Sequence, residues 1–512
     1  MGARHGAIAV LTLLGCLLAA CTGDPDTSTS AVSSIPSTPH HSKGQRPPRT
    51  SAPAVPPTTA PAGATDRPNI ILLLTDDQTV QEMTYLPRTQ RWFTEHGTTF
   101  THAFSQYPLC CPARGSLLTG QLPHNHGAMG NKVPWGAWPN FRDEADTLPV
   151  WLQAAGYRTA IVGKYLNGYP EPGAETLVPP GWTDWRVPVT GEYNYLSRVV
   201  NENGRLVRRN GYHSTYLADE VTGLIDSYSA DDAPFFIWAG FLAPHDGGPA
   251  DPVEPDRSRP PFRTPYVEPR YRGTESSELG GAPSVFEQDL SDKVELLRHS
   301  HDFTRHDVEI QAEQRRESLH SADDAVMRII DELRTTGELA NTELVFVSDN
   351  GFLLGEHGLD QKIYGYEESV RVPLLMSGPD VPAGATRDQL VGIADLAPTM
   401  LSWSGGTTDR VIDGVSLTGV LDHPGELEHR DLLLEAGGEP FPQVDRLYTG
   451  VRTWDGKVLL RYWNGWVETY DLATDPFQLD GTTSTDEAGW RDDLIAELDQ
   501  LQTCAGADCL VD

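Results

Sequence analysis

Four apolar runs, each closing on polar or charged residues, restrict the folds open to this chain more than any other feature. "NIILLLTDDQ" carries Ile70 to Leu74 and closes on Asp76 and Asp77. "YRTAIVGKY" closes on Lys164, "PFFIWAGFLAPH" on His245, and "TELVFVSDNG" on Asp349 and Asn350. Short, unbroken apolar runs of this kind are strands buried on both faces. Helical stretches lie between them, among them Ser321 to Leu333, where Val326, Ile329, Ile330 and Leu333 share one face. Strands alternating with helices predict an α/β fold with a mixed, mainly parallel sheet sandwiched by helices. Ligands of such sheets sit beyond the carboxyl ends of the strands. The polar strand ends are therefore expected to meet in one cleft, far apart as they are in sequence.

Asp76, Asp77, Asp349 and Asn350 are hard oxygen donors. Such donors select Ca²⁺ or Mg²⁺ over zinc, and no histidine–cysteine spacing of a zinc site is present. Either pair alone reads as a helix cap or a turn. Two pairs at two strand ends argue for a divalent cation.

"YPLCCPARGSLLTG", Tyr107 to Gly120, sets two of the six cysteines side by side. Pro112 suits the first turn of a helix that Gly120 ends, which puts Cys110 just ahead of the helix N-terminus. Free backbone N–H groups there attract an anion, and Arg114 adds a fixed positive charge. A thiol at that position is expected to have a depressed pKa. Adjacent cysteines do not bridge each other without strain. Cys504 and Cys509, in "CAGADC", are expected to close a small disulfide loop instead.

The N-terminus carries Arg4, then "AIAVLTLLG", an apolar run too short to span a bilayer. It closes on "LLAAC", which resembles the lipobox of bacterial lipoproteins and makes Cys21 the expected lipidated residue; an ordinary secretory signal is the plainer alternative. Residues 22–67 are mostly Thr, Ser, Pro, Ala and Gly and read as a flexible tether, in which His40 and His41 are solvated. The expectation is an exported protein held on the outer face of the membrane by a lipid anchor. A net charge of −33, from 72 acidic and 39 basic residues, argues against a nucleic-acid partner. The expected units are a signal segment at 1–21, the tether at 22–67, a main α/β domain at 68–436 and a C-terminal α+β subdomain at 437–512. In the last, "KVLLRYWNGWVETYDL" alternates around Asn464-Gly465, a hairpin signal, and predicts a small antiparallel sheet. Tyr462, Trp463, Trp466 and Tyr470 are expected to divide between its core and an exposed rim.

Cys110, Pro112 and Arg114, followed by Leu118, Thr119 and Gly120, resemble the C-x-P-x-R signature of type I sulfatases. "RPNIILLLTDDQ", "GKY", "APH", "SDNGFLLGEHGL", "DLAPTML" and "YDLATDP" resemble further blocks of that family in family order, over about residues 67–480. "HNHG" and "GKYLNGY" add a likeness to the N-acetylglucosamine-6-sulfatase branch. The resemblance implies an alkaline-phosphatase-like fold and conversion of Cys110 to formylglycine by a formylglycine-generating enzyme, with Cys111 a small apolar filler. It implies that Asp76, Asp77, Asp349, Asn350 and the modified Cys110 bind one divalent ion, usually calcium, with magnesium the alternative. Arg114 would hold the formylglycine hydrate, Lys164 and Lys362 would bind sulfate oxygens, and His245 would bind the ester oxygen or protonate the leaving group. One hydroxyl of the hydrate would attack sulfur, and loss of the proton from the other would release sulfate and restore the aldehyde.

The chain departs from many arylsulfatases where Leu166 and Asn167 follow Lys164 without the expected histidine. Asn167 fits as the substrate-binding replacement; His124, His126 and His357 are the other candidates. His357 either supports the site or only shapes its loop, and Asp323 and Asp324 read as structural residues on a helix. The leading expectation is a sulfuric ester hydrolase acting on a sugar or aryl sulfate. A phosphonate monoester or phosphodiester hydrolase of the same superfamily is the second, and an unmodified surface-binding lipoprotein the third. Rim loops such as 247–280 would set substrate choice.

Overall fold

The computed structural model describes residues 67–254, 263–299, 303–437, 446–481 and 489–511. The expected signal segment with Cys21, and all but the last residue of the expected tether, lie outside these, as does part of the 247–280 rim.

In chain order the strands are β1 (Asn69–Asp76), β2 (Gly97–Phe104), β3 (Arg158–Gly163), β4 (Asp184–Thr190), β5 (Ser197–Glu202), β6 (Arg205–Asn210), β7 (Phe235–Pro244), β8 (Thr342–Ser348), β9 (Leu353–Leu354), β10 (Asp360–Gln361), β11 (Arg371–Ser377), β12 (Ala385–Gly392), β13 (Leu432–Ala436), β14 (Tyr448–Arg452), β15 (Lys457–Tyr462) and β16 (Val467–Asp471). The helices are α1 (Pro87–His96), α2 (Cys110–Thr119), α3 (Pro123–His126), α4 (Leu148–Ala154), α5 (His213–Tyr228), α6 (Arg305–Thr336), α7 (Glu367–Val370), α8 (Leu396–Ser404), α9 (Thr418–Asp422) and α10 (Arg491–Leu501).

A ten-stranded sheet runs β12-β2-β11-β8-β1-β7-β3-β4-β5-β6. Its central run β8-β1-β7-β3-β4 is parallel throughout. The four apolar runs read from the sequence are β1, β3, β7 and β8, four neighbours in that run. Being parallel, they end on one edge of the sheet.

Strand β1 shows why a continuous apolar run is needed. Successive side chains point to opposite faces. Ile70, Leu72 and Leu74 pack with Leu117 and Leu118 of α2, Trp151 of α4 and Met400 of α8. Ile71 and Leu73 pack on the other face with Phe93 of α1, Val221 of α5 and Ile329 and Leu333 of α6. All five β1 side chains are wholly buried, each contributing about 1.5–3 kcal/mol of hydrophobic stabilisation. The helix read from Ser321 to Leu333 is the C-terminal half of α6.

The small sheet runs β13-β14-β15-β16, antiparallel at every step. Its hairpin turns through Asn464 and Gly465, the latter at φ +83°. Its first strand, Leu432–Ala436, lies ahead of the boundary expected after residue 436. One face joins Leu109 and Tyr366 of the main body, and α10 covers the other with Leu494, Leu498 and Leu501. Tyr462 and Tyr470 are buried, whereas Trp463 is 43% exposed, so the aromatic residues do divide between core and surface. Cys504 and Cys509 form a disulfide beside α10. No described helix is long and apolar enough to cross a membrane.

Candidate active site

The carboxyl ends of β8, β1, β7 and β3 deliver Asp349, Asp76 with Asp77, His245 and Lys164 to one place. In register, Thr75 pairs with Ser348 and Asp76 with Pro244, so the next residues of β8 and β7 stand beside the end of β1. Gly163 precedes Lys164 at φ +96°, and a Cβ there would meet the carbonyl oxygen of Gly240 at 2.1 Å. Only glycine allows β3 to pass β7 so closely as it turns to present the lysine. Asp77 holds φ +69°, a conformation costly to an ordinary residue and common where a site dictates geometry.

Helix α2 brings the fifth component. Leu109 is its N-cap and Gly120, at φ +67°, closes it. Cys110 is thus the first helical residue rather than the one before the helix, and its thiol faces the strand ends. The Sγ atom lies 3.4 Å from Asp76 Oδ1 and 4.0 Å from Asp77 Oδ1, and accepts from Lys362 Nζ at 3.0 Å.

Three cations answer the carboxylates. Arg114 Nε donates to Asp349 Oδ2 at 2.8 Å, and its Nη2 lies 3.5 Å from Asp76 Oδ2. Lys164 Nζ donates to Asp76 Oδ2 at 2.5 Å, and Lys362 pairs with Asp77. Asn350 Nδ2 donates to Asp77 Oδ1 at 2.8 Å. His245 Nε2 stands 3.6 Å from Asp77 Oδ2, while its Nδ1 is held by Asp246 Oδ1 at 2.8 Å. Apart from Asp246, whose side chain is 21% exposed, these charged groups are buried, which is tolerable only because each is paired. A cleft lined by Asp77, His245, Asp246, Arg263, Arg315 and Lys362 opens onto them.

Burial and charge compete at each group. Burial would raise the Asp76 carboxyl, but Lys164, His245 and Arg114 hold it below the usual range. Asp77 is likewise kept low, against burial, by Lys362 and His245. Burial would neutralise His245, yet Asp77, Asp76 and Asp246 carry it well above the ordinary imidazole value. Cys110 contradicts its expectation. Burial pushes the thiol up, with Asp76 and Asp349 acting the same way, and outweighs Lys164 and Lys362. A helix N-terminus depresses a thiol only where water or net positive charge helps; here desolvation dominates.

The donor set fits a cation. One ligand atom each from Asp76, Asp77, Cys110 and His245 lie within 4.8 Å of one another. Asn350, whose Nδ2 donates to Asp77, has its Oδ1 buried with no hydrogen-bond partner. A buried unpaired acceptor among carboxylates is what a hard divalent ion would satisfy.

The structure separates the candidates for the missing histidine. His126 is tied to the Pro112 carbonyl and the Ala128 N–H beneath α2, and burial drops its pKa to about 3. His124 pairs with Glu435. His357 binds Glu287 at 2.7 Å and stacks on Tyr366. Asn167 stays close to the site: its Nδ2 donates to Tyr193 Oη at 2.5 Å and its Oδ1 is buried without a partner. Asp323 serves structure, accepting from the Thr89 N–H at 2.8 Å and the Thr89 hydroxyl at 2.7 Å at the start of α1.

Three site neighbours had no signal strong enough to pick out. Asp246 orients His245 and was visible only as the next residue. Tyr193 lies with its ring centroid 4.6 Å from Lys164 Nζ and 4.7 Å from the His245 ring, on a turn with no motif. Arg315 donates to the Asp77 carbonyl at 2.6 Å and pairs with Glu82; a lone arginine within a helix looks like any surface charge.

Known proteins resemble the chain over most of its length. The Sulfatase family model matches residues 68–406, and the model for the C-terminal part of N-sulphoglucosamine sulphohydrolase matches residues 355–503. Human N-acetylglucosamine-6-sulfatase is 31% identical over 494 residues, covering 88% of this chain and 87% of that protein. The arylsulfatase of Volvox carteri is 31% identical, covering 88% and 76%. The extracellular sulfatase SULF-1 homolog of Drosophila melanogaster is 34% identical over 69% of this chain, which spans only 31% of that longer protein. Among solved structures, BT4656 in complex with its substrate D-glucosamine-2-N,6-O-disulfate superposes with a TM-score of 0.65 at 23% identity, covering 85% of this chain and 97% of that one. The phosphonate monoester hydrolase of Agrobacterium radiobacter gives 0.64 at 20%, covering 85% and 95%, which speaks for a shared fold alone. Since one family model takes in every residue of the cluster, from Asp76 to Lys362, the chain belongs to the sulfatase family of sulfuric ester hydrolases.

Proposed function

We propose that this protein hydrolyses a sulfate monoester on a sugar, with a 6-sulfated N-acetylglucosamine the first substrate to try and aryl sulfates serving as reporters. The observation that carries the reading is the meeting of Cys110, in the first turn of α2, with Asp76 and Asp77 at the end of β1 and with Lys362 just after β10. The names borne by the relatives, N-acetylglucosamine-6-sulfatase and arylsulfatase, support the substrate class.

Asp76, Asp77, Asp349, Asn350 and residue 110 would hold a divalent cation, calcium before magnesium. Cys110 converted to formylglycine would supply, as the hydrated aldehyde with the cation beside it, an oxygen nucleophile and a second hydroxyl through which sulfate leaves. The remaining chemistry belongs to the chain. Arg114 holds Asp76 and Asp349 in place and offsets charge near residue 110. Lys362, in direct contact with residue 110, and Lys164, which meets it through Asp76, bind sulfuryl oxygens as their charge grows. Fixed charges aimed at developing charge usually lower the barrier more than any other single device. Asp246 fixes Nδ1 of His245, leaving Nε2 to give its proton to the departing alcohol. A sugar alkoxide is a poor leaving group, so this proton matters more for sugars than for aryl esters. Asn167, with Tyr193, lines the substrate side of Lys164. In the same reading the protein is exported and anchored outside the membrane through lipidated Cys21.

Peptide mass spectrometry on native protein tests the modification: formylglycine lowers the mass at Cys110 by about 18 Da. Paired 4-nitrophenyl sulfate, phosphate and phosphonate esters, then a panel of sulfated sugars, test the reaction. An unmodified thiol with no sulfate turnover defeats the reading in favour of a binding lipoprotein. Faster turnover of the phosphonate ester defeats it in favour of the second hydrolase class.

A further inference from the structure

Lys362 is held between two residues in left-handed backbone. Gln361 has φ +77° and Ile363 φ +87°. For a β-branched residue this is a true outlier, costing about 1–3 kcal/mol, and it persists only where surroundings impose it. Immediately after this stretch, Tyr366 is wholly buried and stacks on His357 at 4.1 Å. Its hydroxyl donates to Glu468 Oε2 at 3.2 Å.

Glu468 belongs to β16 of the small sheet and is wholly buried. The same oxygen accepts from Tyr470 Oη at 3.0 Å and Tyr462 Oη at 3.3 Å, while Oε1 accepts from the Val294 N–H at 2.6 Å. A carboxylate taken from water and given four donors is fixed in place. The C-terminal part of the chain grips the same stretch twice more, once from the small sheet and once from the segment after β16. The Glu367 N–H donates to Gln478 Oε1 at 2.8 Å, and a Cβ on Gly365 would come within 2.5 Å of Leu460. On the other side of Lys362, β10 pairs with β9 and His357 is tied to Glu287. The loop is pinned at both ends, and the strain falls on the residues flanking the lysine.

We infer that Glu468 is a positioning residue for Lys362: through Tyr366 it holds the strained loop that brings the lysine amine to residue 110, making the C-terminal sheet part of the catalytic apparatus. Among the described residues, the hydrogen bonds of Glu468 go to Val294, Tyr366, Tyr462 and Tyr470 rather than to the charged groups around residue 110. The inference rests on the role proposed above for Lys362.

The test uses full-length protein whose formylglycine content is measured by mass spectrometry, so that rates refer to modified sites. Glu468→Gln keeps the shape but replaces one acceptor oxygen with an amide donor; Tyr366→Phe removes one hydroxyl and carries the test should the first variant fail to fold. The readouts are kcat and KM for 4-nitrophenyl sulfate and the inhibition constant of inorganic sulfate. Glu468→Gln is expected to lower kcat/KM about 10–100-fold per modified site and to weaken sulfate inhibition about tenfold, with Tyr366→Phe smaller in the same direction. A merely structural role would lower the melting temperature and the modified fraction while leaving KM and the sulfate constant unchanged, and that result overturns the inference. Lys362→Ala is the reference. If it changes neither constant, the reading of Lys362 falls; if it cripples both while the Glu468 and Tyr366 variants do not, only the positioning role falls.

Discussion

Arg114 and Asp349, 235 residues apart, form a wholly buried ion pair of 2.8 Å between the first turns of α2 and the end of β8. The same guanidinium reaches Asp76 and donates to the Lys164 carbonyl at 2.8 Å. One side chain thus ties three strand ends to the helix that carries Cys110. Arg114→Ala leaves two buried carboxylates short of their partner, so stability is expected to fall by about 3–5 kcal/mol. Arg114→Lys keeps the charge but not the fork, and turnover of 4-nitrophenyl sulfate should drop on the order of 100-fold. Near-normal turnover in the lysine variant would show that charge alone suffices.

The two adjacent cysteines should respond differently to substitution. Cys110 faces Asp76, Asp77 and Lys362, whereas Cys111 is buried in an apolar cluster with its Sγ 4.0 Å from the Asn167 carbonyl. Cys111→Ala removes one small group from the core and is expected to cost about 1–2 kcal/mol while keeping turnover within about threefold. Cys110→Ala should abolish turnover in a protein of nearly unchanged melting temperature. Loss of activity in the Cys111 variant at full modification of Cys110 would contradict the division of roles.

Chelation should couple activity to stability. With ligand atoms of Asp76, Asp77, Cys110 and His245 within 4.8 Å of one another, and Asp349 and Asn350 hydrogen-bonded to Asp77, an ion present at about 100 times its Kd would add about 2.7 kcal/mol. Treatment with EGTA is expected to stop turnover and lower the melting temperature by several degrees, with calcium restoring both at lower concentration than magnesium. Asp77→Asn should weaken the calcium response in a thermal shift titration. A melting temperature indifferent to both chelator and calcium would argue that the carboxylates are satisfied by Lys164, Lys362 and Arg114 alone.

The site was legible where it grows from strands. Asp76, Asp77, Lys164, His245, Asp349 and Asn350 each follow an apolar run, and a parallel sheet has no means of placing such ends apart. The fold class followed from the same runs, and the small sheet from alternation around Asn464-Gly465. What was not legible depends on contacts between distant turns. Tyr193 and Glu468 sit on a turn and a short strand whose local pattern gives no sign of their neighbours. The thiol pKa of Cys110 runs against expectation because the helix end is visible in sequence, whereas the depth of burial is decided by the packing of β1, α2 and the 360s loop.

Asp323 separates structural from catalytic acids. It caps the start of α1 through Thr89 and pairs with Arg88. Asp323→Ala should cost about 1–2 kcal/mol through the lost cap and the unpaired donors, with kcat per modified site unchanged. A selective fall in kcat would place this acid in the chemistry after all.

The pair His124–Glu435 gives a pH dependence whose sign is fixed by both partners. His124 Nδ1 lies 3.0 Å from Glu435 Oε1 and Nε2 reaches the Cys504 carbonyl at 2.9 Å, linking α3 to the small sheet and the disulfide loop. Burial favours the neutral imidazole, but the wholly buried Glu435 outweighs it and raises His124 above its ordinary 6.5. Burial likewise opposes the Glu435 charge, and His124 and Arg446 hold that carboxyl below 4.5. A raised histidine stabilises fully below its unfolded pKa, and that contribution fades as pH rises through the folded value. The lowered glutamate stabilises fully above 4.5, and its contribution fades as pH falls through its folded value. The link is therefore strongest between about pH 4.5 and 6.5. His124→Gln leaves Glu435 buried with a neutral partner, so denaturant unfolding at pH 5.5 should show a loss of about 2 kcal/mol that shrinks by pH 9. A stability gap that widens with rising pH would mean that His124 is neutral in the folded protein and that the pair is held by an ordinary hydrogen bond.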